Sequence, residues 1–93
     1  MKHYINGISY EMSDKEYQII ITTLSIGREY LRKGHYKRAK SIFDQLNGMI
    51  QMLEVQNRLT KCEVDNIYDY IAAERSKAMH ERVFERRLEA GRN

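Results

Sequence analysis

From the sequence we expect a mainly α protein, a three-helix bundle with a short N-terminal β-hairpin. Three features support this: an Asn-Gly dipeptide between alternating segments, two capping boxes, and three stretches with apolar residues at three- and four-residue steps. A chain of 93 residues suits a single domain with one core. We predict the hairpin over residues 1–12 and helices over 13–33, 35–58 and 60–91. The charged end beyond His80 is expected to be helical, exposed and prone to fray.

The hairpin prediction depends on Asn6-Gly7. Both residues tolerate positive φ, as a tight two-residue turn requires, so Ile5 and Ile8 would pair across the turn. His3 and Tyr10 would share their face. Because an isolated hairpin is marginal in water, this face should lie on the helices.

Two of the helices have a start that is visible in the sequence. Ser13 with Glu16, and again Thr60 with Glu63, have the spacing of a capping box, in which side chain and backbone exchange hydrogen bonds. The first helix should stop at Gly34, because glycine readily takes the left-handed conformation that ends a helix.

The predicted core follows the apolar stripes. The stripe of the second helix keeps its phase across Gly48, so we predict one continuous helix, although glycine costs about 1 kcal/mol relative to alanine there. The inward residues of the first two helices are Tyr17, Ile20, Ile21, Leu24, Gly27, Leu31, Ala39, Ile42, Phe43, Leu46, Met49, Ile50 and Leu53. Those of the third helix are Val64, Ile67, Tyr68, Ile71, Ala78 and Met79.

A spaced set of small and aromatic residues surrounds the turn between the first two helices. Gly27, Tyr30, Ala39 and Phe43 are its members, and the spacing over residues 20–53 resembles one tetratricopeptide repeat. The resemblance implies a helical hairpin in which the small residues let the backbones approach and the aromatic rings fill the groove beside them. It also implies binding of peptides. The chain departs from the family pattern at Thr23 and Gln51.

No catalytic set is visible in the sequence. Cys62 lies in the first turn of the third helix without a local base or oxyanion signature, and we expect a partly buried, unreactive thiol. Asp65 and Asp69 share a helical face that we interpret as solvated. No glycine loop for phosphate or dinucleotide binding occurs. We therefore expect no enzyme activity, no cofactor and no metal site at the separate histidines His3, His35 and His80.

The cysteine count and hydropathy predict the compartment. One cysteine excludes an intrachain disulfide, which is typical of a reducing environment. No stretch approaches the roughly 18 apolar residues that a membrane span needs. The prediction is a cytoplasmic protein that does not enter a membrane.

Charge is distributed unevenly along the chain. The formal net charge is +3, but residues 28–40 contain six basic residues and only Glu29 as an acid, whereas residues 61–73 contain three acids and one lysine. Such a polarised surface suits an oriented contact with a partner. The candidate partner-binding residues are the basic and aromatic side chains Arg28, Arg32, Lys33, Tyr36, Lys37 and Arg38, together with Tyr68 and Phe84 of the third helix.

These features favour a protein-binding module that docks on a larger partner and modulates it as an inhibitor. In general style the chain resembles small accessory proteins of bacteriophages and mobile elements, many of which disable host or defence enzymes. Two alternatives stay open. One is a small basic nucleic-acid-binding or regulatory protein that uses residues 28–40, with Tyr36 near enough to stack on a base. The other is a structural homo-oligomer, such as a homodimer, joined through the last helix.

Overall fold

The computed structural model describes the backbone of residues 1–91 and the side chains of residues 1–82. It contains β1 (Lys2–Ile5), β2 (Ile8–Glu11), α1 (Asp14–Arg32), α2 (Tyr36–Val55) and α3 (Lys61–Gly91). The prediction of a mainly α three-helix bundle with an N-terminal hairpin is confirmed. The charged end beyond His80 is helical as far as Gly91, as predicted. Its expected exposure concerns side chains outside the described ones, and its fraying stays a prediction.

The hairpin has the predicted register. Ile5 pairs with Ile8 and His3 with Tyr10 in an antiparallel two-stranded sheet, and Asn6 and Gly7 have φ values of 52° and 79°. Two successive positive φ angles are those of a tight turn that matches the strand twist. Ile5 and Tyr10 are buried, whereas Ile8 stays exposed, so the packed face is smaller than expected.

The hairpin is tied to the start of α1 by one histidine. The ring of His3 stacks on Tyr17, with 4.4 Å between ring centroids. Its Nε2 lies 2.8 Å from Oδ1 of Asp14. These contacts supply the helix support that a two-stranded hairpin needs.

Both predicted capping boxes are present. The hydroxyl of Ser13 accepts from the amide of Glu16 at 3.1 Å, and the Glu16 carboxylate accepts from the Ser13 amide at 2.9 Å. Thr60 and Glu63 make the same two bonds at the same distances. Amides that a helix start would leave unsatisfied are thereby paired, which fixes where α1 and α3 begin.

Gly34 ends α1 as predicted. It has φ of 80°, its amide donates to the carbonyl of Leu31 at 3.1 Å, and the amide of His35 donates to the carbonyl of Tyr30 at 2.8 Å. This pair of bonds is a Schellman motif, which requires the left-handed conformation that glycine adopts without steric cost.

The predicted end of α2 at residue 58 is wrong, because the helix stops at Val55. Asn57 takes φ of 58°, and the amide of Arg58 donates to the carbonyl of Leu53 at 2.9 Å. Asparagine is the residue that most often replaces glycine in such a motif, so this is a second Schellman ending. The helix is continuous through Gly48, as predicted.

Phe43 lies where the three helices meet. Its side chain is fully buried on α2, and a Cβ atom placed on Gly27 of α1 would lie 2.8 Å from its Cζ. The guanidinium carbon of Arg75 on α3 lies 4.6 Å from the ring centroid, which is cation–π geometry. Among the predicted core positions of α3, Met79 is wrong: it is exposed, while the preceding residue Ala78 faces inward.

We expect Gly27→Ala to destabilise the protein by about 1–3 kcal/mol, because the added methyl group overpacks against a ring that cannot move aside. The measurement is the free energy of unfolding in urea, in dilute solution. Gly48→Ala is the matched control, since a Cβ there meets nothing within 4 Å. This control should stabilise α2 by about 0.5–1 kcal/mol through helix propensity alone. Equal effects of the two substitutions would contradict the close contact at Phe43.

The start of α1 is also joined to the connection between α2 and α3. The guanidinium of Arg58 forms a two-pronged ion pair with the carboxylate of Glu16, whose side chain is 22% exposed. Hydrogen bonds from Arg58 and from the Ser13 amide lower the pKa of Glu16 from 4.5 to about 2. The carboxylate therefore serves as both cap and ion-pair partner.

The depressed pKa of Glu16 predicts an acid-sensitive fold. Its contribution to stability is complete above the unfolded value of 4.5 and is lost as the pH falls towards 2. We expect Glu16→Gln to flatten the fall in unfolding free energy over this range, measured by urea titration at successive pH values. Arg58→Ala should flatten the same range, because it removes the largest cause of the shift. An unchanged pH profile in both variants would contradict this assignment.

Candidate functional site

Arg28 and Arg32, two of the predicted partner-binding residues, face α3. Nη1 of Arg28 donates to Glu74 at 2.6 Å, and both side chains are partly buried. Nε of Arg32 donates to Glu81 at 2.7 Å, and its Nη1 donates to Glu29 at 3.0 Å. These arginines hold α3 against α1, so part of the charge in residues 28–40 is neutralised within the fold.

A third arginine, Arg82 of α3, contacts the C-terminal end of α1. Nη1 of Arg82 donates to the carbonyl of Arg32 at 3.2 Å, and its guanidinium lies beside Gly34. A cation on the last carbonyls of a helix is favoured by the helix dipole. The turn between α1 and α2 is therefore braced by its own Schellman motif and by α3.

The remaining predicted residues of the basic stretch lie together at this end of the bundle. We call the exposed side chains of Lys33, His35, Tyr36, Lys37 and Arg38 the basic turn. Four of them, His35 to Arg38, line a shallow open cavity of about 360 Å³ together with Gly34. Lys40, by contrast, pairs with Asp44 at 2.9 Å. The sequence between residues 30 and 43 has no acidic residue, so the basic turn has a positive potential.

The start of α2 adds to this potential. His35 occupies the N-cap position without a side-chain hydrogen bond to the helix, and the first turn has no acidic residue. Lys37 and Arg38 stand there instead, at the positive end of the helix dipole, where acids are favoured. This arrangement costs stability within the molecule, and negative charge from a partner would offset the cost.

The aromatic candidates of α3 have other places. Tyr68 is half-buried, and its hydroxyl donates to the carbonyl of Asn47 at 3.2 Å, which joins α3 to α2. Burial raises the pKa of this phenol. Phe84 lies outside the described side chains. The structure therefore brings four of the eight candidate residues together: Lys33, Tyr36, Lys37 and Arg38.

The residues considered for chemistry are dispersed. Cys62 is exposed in the first turn of α3, so the expected partial burial is wrong. Asp65 and Asp69 are exposed, as expected for a solvated face. Among residues 1–82, no three potential metal ligands of the His, Cys, Asp or Glu types come together. Within the described part of the chain, no helix is both long enough and apolar enough to cross a membrane.

Sequence reasoning missed a groove between α1 and α2, at the end of the bundle opposite the basic turn. We call it the α1–α2 groove; its volume is about 670 Å³ and it is lined mainly by Ile19, Ile20, Gly48, Met49, Met52 and Leu53. Ile19 and Met52 are 41% and 54% exposed. The signal that could have revealed it is the lack of charge in residues 17–27 and 45–53, the stretches of α1 and α2 that contain most of its lining residues.

Comparison with known proteins gives no relative to argue from. No protein-family model, curated protein or solved structure matches this chain. Function must therefore be inferred from the two exposed surfaces, the basic turn and the α1–α2 groove.

We expect Arg28→Ala to lower the free energy of unfolding by about 1–2 kcal/mol. The energy lost on breaking a partly buried ion pair lies between the small loss for an exposed pair and the large loss for a buried one. Glu74→Ala should have a similar effect, and the double variant should lose less than the sum of the two. Arg38→Ala, in the exposed basic turn, is the control and should change stability by about 0.5 kcal/mol at most. Additive effects of Arg28 and Glu74 would contradict the pairing.

Proposed function

We propose that this protein is a non-enzymatic binding module that docks through its basic turn on an acidic surface of a larger protein and modulates that protein, as an inhibitor does. The observation that supports this proposal is the grouping of five exposed basic and aromatic side chains at one braced end of the bundle, in a stretch free of acids. Intramolecular ion pairs use Arg28 and Arg32, but these five side chains face solvent.

The chemistry of the basic turn suits a protein partner. Arginine and tyrosine are enriched where interfaces have most of their binding energy, and Tyr36, at 47% exposed, offers a large rigid ring next to Lys37 and Arg38. The positive charge would speed encounter with an acidic surface and fix the orientation of docking. A small helical protein that covers an acidic surface in this way can block access to it.

The rigidity of the turn supports docking without rearrangement. Gly34 and His35 are held by two backbone hydrogen bonds, and Arg82 braces the last carbonyl of α1. A surface that is already ordered loses little conformational entropy on binding, so more of the contact energy appears as affinity.

A second candidate function is the binding of single-stranded nucleic acid. The observation that favours it is the position of Tyr36 between basic side chains, since aromatic rings stack on bases while lysine and arginine neutralise phosphates. This function predicts an affinity that falls steeply with salt. A plot of the logarithm of the binding constant against the logarithm of the salt concentration should have a slope of about −0.7 for each phosphate contacted. Oligonucleotide titrations at several salt concentrations distinguish it from docking on a protein.

We expect the triple variant Lys33→Ala, Lys37→Ala, Arg38→Ala to lose the protein partner that the wild type captures from a bacterial lysate treated with nuclease. Purified complexes should weaken about tenfold or more, because three steering charges are removed. The matched control is Lys2→Ala, Lys15→Ala, Lys61→Ala, which removes the same charge from exposed positions away from the basic turn.

The readout is quantitative mass spectrometry of the captured proteins, followed by titration calorimetry with the purified partner. A partner retained equally by both triple variants would contradict docking through the basic turn. Recovery of no stoichiometric protein by the wild type would contradict the proposed function itself.

A further inference from the structure

We infer that the α1–α2 groove and the surface around it form the contact between two copies of this chain. The groove lies at the end of the bundle opposite the basic turn, so a dimer of this kind leaves the basic turn exposed. The inference is independent of the proposed function.

The first observation is a lack of charge where a solvated helix would have it. In a chain with 31% charged residues, neither residues 17–27 nor residues 45–53 include an Asp, Glu, Lys or Arg. Many of these positions are exposed: Gln18, Ile19, Thr22, Ser25, Ile26, Gln45, Gly48, Gln51 and Met52. Depletion of charge is the compositional mark of an interface core.

The second observation is the apolar character of this surface. Ile19 and Met52, which line the groove, are 41% and 54% exposed. On the same two helices, Ile26 and Val55 are also exposed, at 43% and 68%. Glu16, the ionisable residue among those that line the groove, is already paired with Arg58. No charged group of the lining is therefore left for an ionic ligand.

The third observation is Gly48. A glycine inside a helix is disfavoured, and a Cβ at Gly48 would meet nothing within 4 Å. Within the fold, Gly27 is a helical glycine that allows close packing, because the ring of Phe43 packs directly on its backbone. Gly48 offers the same close approach on the outside of α2. A large side chain from a facing helix fits there, and Met52, one turn along α2, is such a side chain in a second copy.

The absence of charge also selects the occupant. In a two-fold dimer a surface meets its own copy, so any net charge on it would be opposed by the same charge. An uncharged surface avoids this repulsion. Interfaces with a foreign protein instead use complementary charge for steering and specificity, and homodimer interfaces are the more apolar class. A second copy of this chain is therefore the occupant that the surface fits.

The test is analytical ultracentrifugation of the full chain between about 1 µM and about 500 µM, a range that covers moderate dimer affinities. The wild type should sediment as a dimer at the upper end. Met52→Glu should weaken dimerisation at least tenfold, because it places two like charges in the interface. Asn66→Glu adds the same charge at an exposed position of α3 and should leave the dimer unchanged. Circular dichroism should show wild-type helicity in both variants.

Gly48→Leu separates an interface role from a structural one. The substitution improves helix propensity, and the Cβ that it adds meets nothing within 4 Å in its own chain. The dilute protein should therefore melt at a higher temperature while the dimer weakens. A wild type that stays monomeric over the whole range would overturn the inference. A dimer that survives Met52→Glu and Gly48→Leu would also overturn it and would direct attention to α3. Neither result bears on the basic turn, whose triple variant should dimerise normally.

Discussion

The fold depends on the burial of one aromatic ring between three helices. Phe43 is fully buried on α2, packs on the bare backbone of Gly27 in α1 and lies under the guanidinium of Arg75 from α3. Because Gly27 has no side chain, the ring of Phe43 occupies the space that a side chain would take, and α1 and α2 pack closely at this point. Their relative position then determines both exposed surfaces, since the turn that joins the two helices is the basic turn and the space between their other ends is the α1–α2 groove.

Features that act over a few residues could be predicted from the sequence. The Asn6-Gly7 turn and the capping boxes at Ser13 and Thr60 depend on neighbours in the chain, and all three are present. The end of α2 was misplaced because Asn57, and not a glycine, takes the left-handed conformation that ends the helix. Met79 was misplaced because both it and Ala78 were predicted to face inward, whereas two adjacent residues point about 100° apart on a helix and only Ala78 faces the core.

The candidate site was harder to predict because its charges have distant partners. Arg28 and Arg32 belong to one basic run in the sequence, but their acids lie 46 and 49 residues further along the chain. Only the packing of α3 on α1 brings these groups together. The α1–α2 groove was missed for the opposite reason: periodicity draws attention to residues that face the core, whereas the informative positions, such as Ile19 and Gly48, are those where exposed charge is lacking.

The two surfaces differ in charge, and therefore in the kind of partner that each can bind. The basic turn gathers like charges at a helix start where they cost stability, so it gains from an acidic partner and cannot favour self-association. The α1–α2 groove has no net charge to steer a partner, but it can approach an identical surface without repulsion. A dimer formed through it would present two basic turns on one particle. Two modest charged contacts made together can then bind far more tightly than either alone, provided that the partner spans both.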